Sequence, residues 1–191
     1  MSLTSCEIRW FVRQCPFALD EMFDQPAAER TDWYAPVAEA TTGIKIREGR
    51  IEAKLMTQEM GLAAISGCQG SMHRWEKWSA VVDTPLPTER QLREAGWVAV
   101  KKRRYITVWS TETTPLRMTH DRVAQGAQFE VTELHVHDQR WWTIGFESFG
   151  PERTHAGSLE ALITHVLGEY SSKEALTAAD SMAYPEWLQS L

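Results

Sequence analysis

The sequence predicts an α+β fold: an eight-stranded antiparallel β-barrel with flanking helices. Three observations carry that reading. Stretches of alternating apolar and polar residues recur from Cys6 to Phe149, and period two marks half-buried strands. Tight turn signals such as Glu48-Gly49 join successive stretches, which makes neighbours antiparallel. The strands number about eight, at which a closed sheet is just wide enough to hold a small ligand.

Residues 6–12 read as the first strand, with Glu7, Arg9 and Phe11 on one face and Ile8, Trp10 and Val12 on the other. Pro16 to Phe23 reads as a short helix with proline near its first turn. Residues 30–37 read as a second strand, ending at Pro36. The third and fourth strands form a hairpin. Ile44 and Ile46 oppose Lys45 and Arg47; after the Glu48-Gly49 turn, Ile51, Ala53 and Leu55 oppose Glu52 and Lys54. Alternation alone leaves open whether the charged face meets water or a confined interior. A looser Gly-containing stretch, 61–70, precedes a fifth strand over 72–82, with Arg74, Glu76 and Trp78 sharing a face.

Pro87 to Gly96 has a helical composition and ends on a glycine stop. A sixth strand runs from Trp97 to about Trp109. Its odd positions, which include Lys101 and Arg103, are the more polar and are assigned inward; the opposite register remains open. Residues 111–127 are a polar connection with room for a strand. The seventh strand is 129–136 and the eighth 141–149, joined by a turn at 137–140. Leu159, Leu162, Ile163, Val166 and Leu167 then recur at helical spacing after Ser158 as N-cap. Ser171-x-x-Glu174 predicts a capping box and a further helix to about Met182. With no repeat and no linker, residues 1–191 read as one domain with a helical C-terminal segment from about 158.

Composition narrows the class. The chain has 191 residues, 43% hydrophobic and 24% charged, as globular proteins do. No long apolar run predicts a membrane span, and no leader segment is visible. Three unpatterned cysteines fit a reducing cytoplasm. A formal charge of −6 argues against nucleic-acid binding, which needs a basic footprint. The bases nevertheless cluster at 45–54 and 101–104, so a small anionic ligand is the partner expected. His135 and His137 beside Asp138 have the spacing of a transition-metal pair, but beside a turn the favoured reading is solvent exposure.

The order of an Arg30-x-Asp32-x-Tyr34 strand, an Ile44-Lys45-Ile46-Arg47 hairpin, an Arg74-x-Glu76 strand, a helix ending Ala95-Gly96-Trp97 and then Lys101-Lys102-Arg103-Arg104-Tyr105 resembles the CYTH superfamily, the triphosphate tunnel metalloenzymes. The resemblance runs from about residue 6 to 167. It implies an eight-stranded tunnel whose bases grip a triphosphate and whose carboxylates hold Mg or Mn. Lys45, Arg47, Lys54, Lys101 and Arg103 look like the phosphate-binding bases. Glu7, Glu130 and Glu147 look like the metal-holding, catalytic carboxylates, with Glu76 a mid-tunnel acid. The family's Glu-x-Glu-x-Lys signature reads here Glu7-x-Arg9-x-Phe11, and its late Glu-x-Glu reads Gly145-x-Glu147. The implied activity is metal-dependent hydrolysis of a triphosphate or polyphosphate compound, with cyclase chemistry a variant. The alternative is a non-catalytic anion-binding tunnel that has lost its metal.

Overall fold

The computed structural model describes residues 3–36, 39–113, 116–120, 123–170, 172 and 174–191. Its strands are β1 (Leu3–Val12), β2 (Ala28–Tyr34), β3 (Thr42–Arg47), β4 (Arg50–Ile65), β5 (Cys68–Val81), β6 (Val98–Ser110), β7 (Arg117–Thr119), β8 (Gly126–Val136) and β9 (Gln139–Phe149). They form one antiparallel sheet in the order β2-β3-β4-β5-β1-β9-β8-β6-β7. Pairing of β2 with β6, from Ala28↔Arg104 to Tyr34↔Val98, closes eight of them into a barrel. The short β7 adds to β6 at Val108–Ser110, outside the closure.

All eight predicted strands are present. Three tight hairpins set the register. Glu48-Gly49, Ser66-Gly67 and His137-Asp138 each place two consecutive residues at positive φ, the backbone of a turn whose twist matches that of the strands it joins. The Ser66-Gly67 turn falls inside the stretch expected to be loose. β4 in fact runs to Ile65, but register shifts between Met56 and Gln58 and between Glu59 and Gly61 break its alternation. Bulges of this kind hide a strand from a period-two reading.

The core lies between one outer face of the barrel and α3 (His155–Glu169). Ile8, Trp10, Phe129, Ile144 and Phe146 meet Leu159, Leu162, Ile163 and Val166 there. Each such buried aliphatic side chain contributes about 1.5–3 kcal/mol. The predicted helical stripe is therefore the packed face, although α3 starts a turn earlier than expected. Ser158 is not its cap; it is buried within the helix and shares a 2.7 Å hydrogen bond with the Thr111 hydroxyl.

Other helices are shorter than the patterns implied. α1 covers only Leu19–Met22, and α2 covers Glu89–Glu94, capped by Thr88 and Gln91. β2 stops at Tyr34; Val37 lies outside the described residues, as does Ser171. Among the described residues no α-helix follows α3 before α4 (Tyr184–Gln189), only a 3₁₀ turn at Ala178–Asp180. The helix expected to reach Met182 is replaced by chain pinned to the barrel: the Ser181 hydroxyl donates to the Arg9 carbonyl and accepts from the Ser71 N–H.

α4 occupies one end of the barrel. Trp187 stacks on Phe11 at 4.7 Å, and Tyr184 stacks on Tyr34 at 4.9 Å. Val100, Leu134 and Val136 complete the same apolar cluster. The inward face is thus apolar where α4 covers it and charged elsewhere. Among the described residues no helix is long and apolar enough to cross a membrane.

Candidate functional site

The charged hairpin face points inward. Lys45 and Arg47 of β3 and Glu52 and Lys54 of β4 line a cavity of about 320 Å³ inside the barrel. That size is at the lower end of small-molecule sites, about 300–1,000 Å³. Glu52 pairs with Lys45 across the strands and is surrounded by Arg47 at 2.7 Å, Lys45 at 3.2 Å and Lys77 at 3.5 Å. Burial alone would raise its pKa; the Arg47 hydrogen bond and the neighbouring charges outweigh that and hold it at about 2.

The sixth strand takes the register that its polarity disfavoured. Lys102, Arg104 and Ile106 line the cavity, whereas Lys101 and Arg103 are exposed on the outer face. Those two expected phosphate ligands are therefore outside. The inward face reads Val100, Lys102, Arg104, Ile106 because it passes from the end under α4 into the charged middle. Glu76 is corrected likewise: β5 turns Trp75 and Lys77 inward, so Glu76 is outside the cavity lining.

Asp32, which the sequence reading left without a role, anchors the floor. It is wholly buried, with Arg30 at 2.9 Å, Lys102 at 3.0 Å and Lys45 at 3.2 Å. Burial would raise its pKa, but these three cations pull it far below the usual carboxylate range. Lys102 also donates to the Tyr34 hydroxyl at 2.7 Å and lies 4.3 Å from the centre of the Tyr184 ring. Burial, reinforced by the nearby charge of Lys45, drives its pKa well below that of an ordinary lysine despite Asp32. The alternation Arg30-x-Asp32-x-Tyr34 was the available signal for this face, since it puts all three on one side of β2.

Glu7, Glu130 and Glu147 do converge on the cavity, from β1, β8 and β9. Glu7 and Glu147 are directly opposed across β1 and β9. Each carboxylate is already engaged. Glu7 accepts from Arg9 Nε at 2.9 Å and from Lys54. Glu147 accepts from Lys54 at 3.3 Å, Ser5 at 2.7 Å and Gln128 at 2.8 Å. Glu130 pairs with Arg104 and with Arg9 Nη1 at 3.4 Å, and accepts from Thr132 at 2.9 Å. Burial would raise the pKa of Glu7, but Lys54 and Arg9 overcome it and hold it at about 2.

Mg and Mn need hard oxygen ligands with room around the ion. Here protein cations sit between the carboxylates, and among the described residues no three His, Cys, Asp or Glu side chains are disposed to hold a metal. The donor set as arranged does not fit a three-carboxylate metal centre. The His135 ring instead lies 3.2 Å from Glu133, exposed on the outer face.

The arrangement is rich in hydrogen-bond donors. Eight bases line the cavity: Arg9, Arg30, Lys45, Arg47, Lys54, Lys77, Lys102 and Arg104. Against them stand the carboxylates of Glu7, Glu52, Glu130 and Glu147, with Asp32 behind. Eight such groups offer about 32 N–H donors and five carboxylates about 20 lone-pair sites. The surplus suits a ligand that brings acceptors and negative charge. No protein-family model matches this chain, and no curated protein matches it.

Proposed function

We propose that the barrel binds a compact, multiply charged anion of the oligophosphate class, as a divergent relative of the triphosphate tunnel metalloenzymes. The carrying observation is the excess of cations over carboxylates around one small cavity. Arg47, Lys77 and Arg104 are the bases nearest spare coordination, because Lys77 and Arg47 share the one Glu52 and Arg104 shares Glu130 with Arg9. Charge-assisted bonds from such groups to phosphate oxygens are shorter and stronger than neutral ones. Trp75 adds an aromatic wall beside Lys54, whose Nζ is 5.0 Å from the ring centre; an organic group attached to the phosphates would pack there.

Metal-dependent hydrolysis of a triphosphate compound is the second reading. Its supporting observation is that Glu7, Glu130 and Glu147 reach the same cavity. It requires Arg9 and Lys54 to leave Glu7; the Arg9–Glu7 contact is buried, and breaking a buried pair typically costs about 3–5 kcal/mol.

Calorimetric titration with inorganic tripolyphosphate tests the first reading. A micromolar dissociation constant, about −8 kcal/mol, is expected, with affinity falling as salt rises and lost in Arg47→Ala/Lys54→Ala. Heat no greater than the dilution blank would remove it. Release of inorganic phosphate from the same mixture only after magnesium is added would favour the second reading.

A further inference from the structure

Two departures from the family signature meet at one point in the barrel. Arg9 stands where that pattern has its second N-terminal glutamate, and Gly145 where it has the first of the late pair. These residues are direct cross-strand partners on β1 and β9. The Arg9 guanidinium is nearly buried and passes over Gly145. It donates to Glu7 at 2.9 Å through Nε and to the Thr143 hydroxyl at 3.2 Å through Nη1, which also lies 3.4 Å from Glu130. A β-carbon at 145 would stand 2.7 Å from Cζ and from Nη2 of Arg9. Real β-carbons are not found so close to other heavy atoms, so the missing side chain at 145 makes room for the guanidinium. Arg9 and Gly145 thus work as one: the glycine leaves the space, and the guanidinium that fills it bridges Glu7 and Glu130.

We propose that Arg9 is a resident counter-cation that fills the position between Glu7 and Glu130, so that the cavity takes its polyanion free of divalent metal. This rests on the anion-binding reading and specifies the form of the ligand. Guanidinium does not lose its proton in this pH range, and its contacts with Glu7 and Glu130 strengthen that hold. A divalent ion entering here would have to expel it from both carboxylates and would lie beside Lys54, which also pairs with Glu7 and Glu147. Like charges at such range repel strongly in a desolvated site. A metal-complexed oligophosphate, by contrast with the free anion, arrives with part of its charge cancelled. Magnesium in solution therefore competes with the protein for the ligand.

The test uses the intact protein and inorganic tripolyphosphate, titrated calorimetrically in EDTA and again in excess magnesium chloride. Binding in EDTA, weakened about threefold or more by magnesium through mass action, is the expected result. Binding that appears only with magnesium overturns the proposal and leaves the anion-binding reading standing. No binding in either buffer removes that reading. Manganese alone, followed by its electron paramagnetic resonance signal, still judges Arg9 independently: free manganese with the wild-type protein supports the assignment, and bound manganese overturns it. Arg9→Glu, checked for folding by circular dichroism, is expected to gain manganese binding. A folded Arg9→Glu protein that gains none also overturns the assignment. Should that variant not fold, the wild-type titrations still decide.

Discussion

Asp32 holds three cations on one carboxylate, and Lys102 is the one whose charge burial disfavours most. A base whose folded pKa is depressed destabilises the fold while protonated; that penalty is removed as pH rises through the folded pKa towards 10.5. A bound polyanion needs the protonated form and so reverses the preference. Lys102→Met should therefore weaken tripolyphosphate about 10–100-fold, the worth of one charged hydrogen bond of about 1.5–3 kcal/mol, in a variant checked for folding by circular dichroism, where Asp32 keeps Arg30 and Lys45. Lys101→Met, one residue away and exposed, should leave the affinity unchanged. The affinity of the wild type should also begin to fall at a pH below 10.5 as Lys102 and Lys45, both lowered by burial, deprotonate, and the Lys102→Met titration should lose the lower of the two steps and keep that of Lys45. Equal losses in both lysine variants would contradict the register. That register was not legible in the sequence, because 101–104 is basic at every position and a barrel with a polar interior offers no contrast between faces. The hairpin was legible only in part: its alternation separates Ile44, Ile46 and Ile51 from Lys45, Arg47 and Lys54, but which face is inside is set by tertiary packing, with Ile46 seated against Trp33 and Leu92 on the outer side.

At the scale of the element, α3 and α4 differ in how far the sequence announces them. The apolar stripe of α3 needs only one kind of neighbour, the outer face of the sheet, and local spacing reveals it. α4 is six residues long, and its partners Phe11, Tyr34, Val100 and Leu134 come from β1, β2, β6 and β8. No local period encodes a seat built by four strands. The same helix gives the cavity a wall, since Tyr184 and Pro185 line it. Trp187 is wholly buried, stacked on Phe11 and edge-on to Trp141 at 6.0 Å. Trp187→Ala should cost about 3–5 kcal/mol, the usual range for deleting a buried aromatic. A urea midpoint lowered without change in slope would show that loss, and an unchanged midpoint would mean that α4 is not bound to the barrel end. The same variant should weaken tripolyphosphate as well, because Tyr184 then loses the packing that holds it beside Lys102.

Across the whole molecule the charge is partitioned. Of 20 Lys and Arg and 26 Asp and Glu, eight bases and five acids belong to the cavity, which leaves twelve bases against twenty-one acids in the rest of the chain. A basic cavity is thus enclosed in an acidic protein. At physiological salt the screening length is about 8 Å, so an anion near the surface first meets repulsion, and only one small enough to enter the cavity reaches the compensating bases. A polymer cannot do so: its chain would have to run along the acidic exterior, and α4 covers one end of the barrel, so it cannot thread through. Size and charge density together then select short oligophosphates over nucleic acid, although both present phosphate oxygens. A fluorescent single-stranded oligonucleotide should show no rise in anisotropy with this protein at concentrations that saturate with tripolyphosphate, and should not displace it. Competition between the two would place the phosphate-binding bases on the outer surface, at Lys101 and Arg103, rather than inside the barrel. Lowering salt separates the cases further. Weaker screening strengthens the exterior repulsion felt by the polymer while it strengthens the grip on a small anion already inside, so the gap between the two ligands should widen as ionic strength falls.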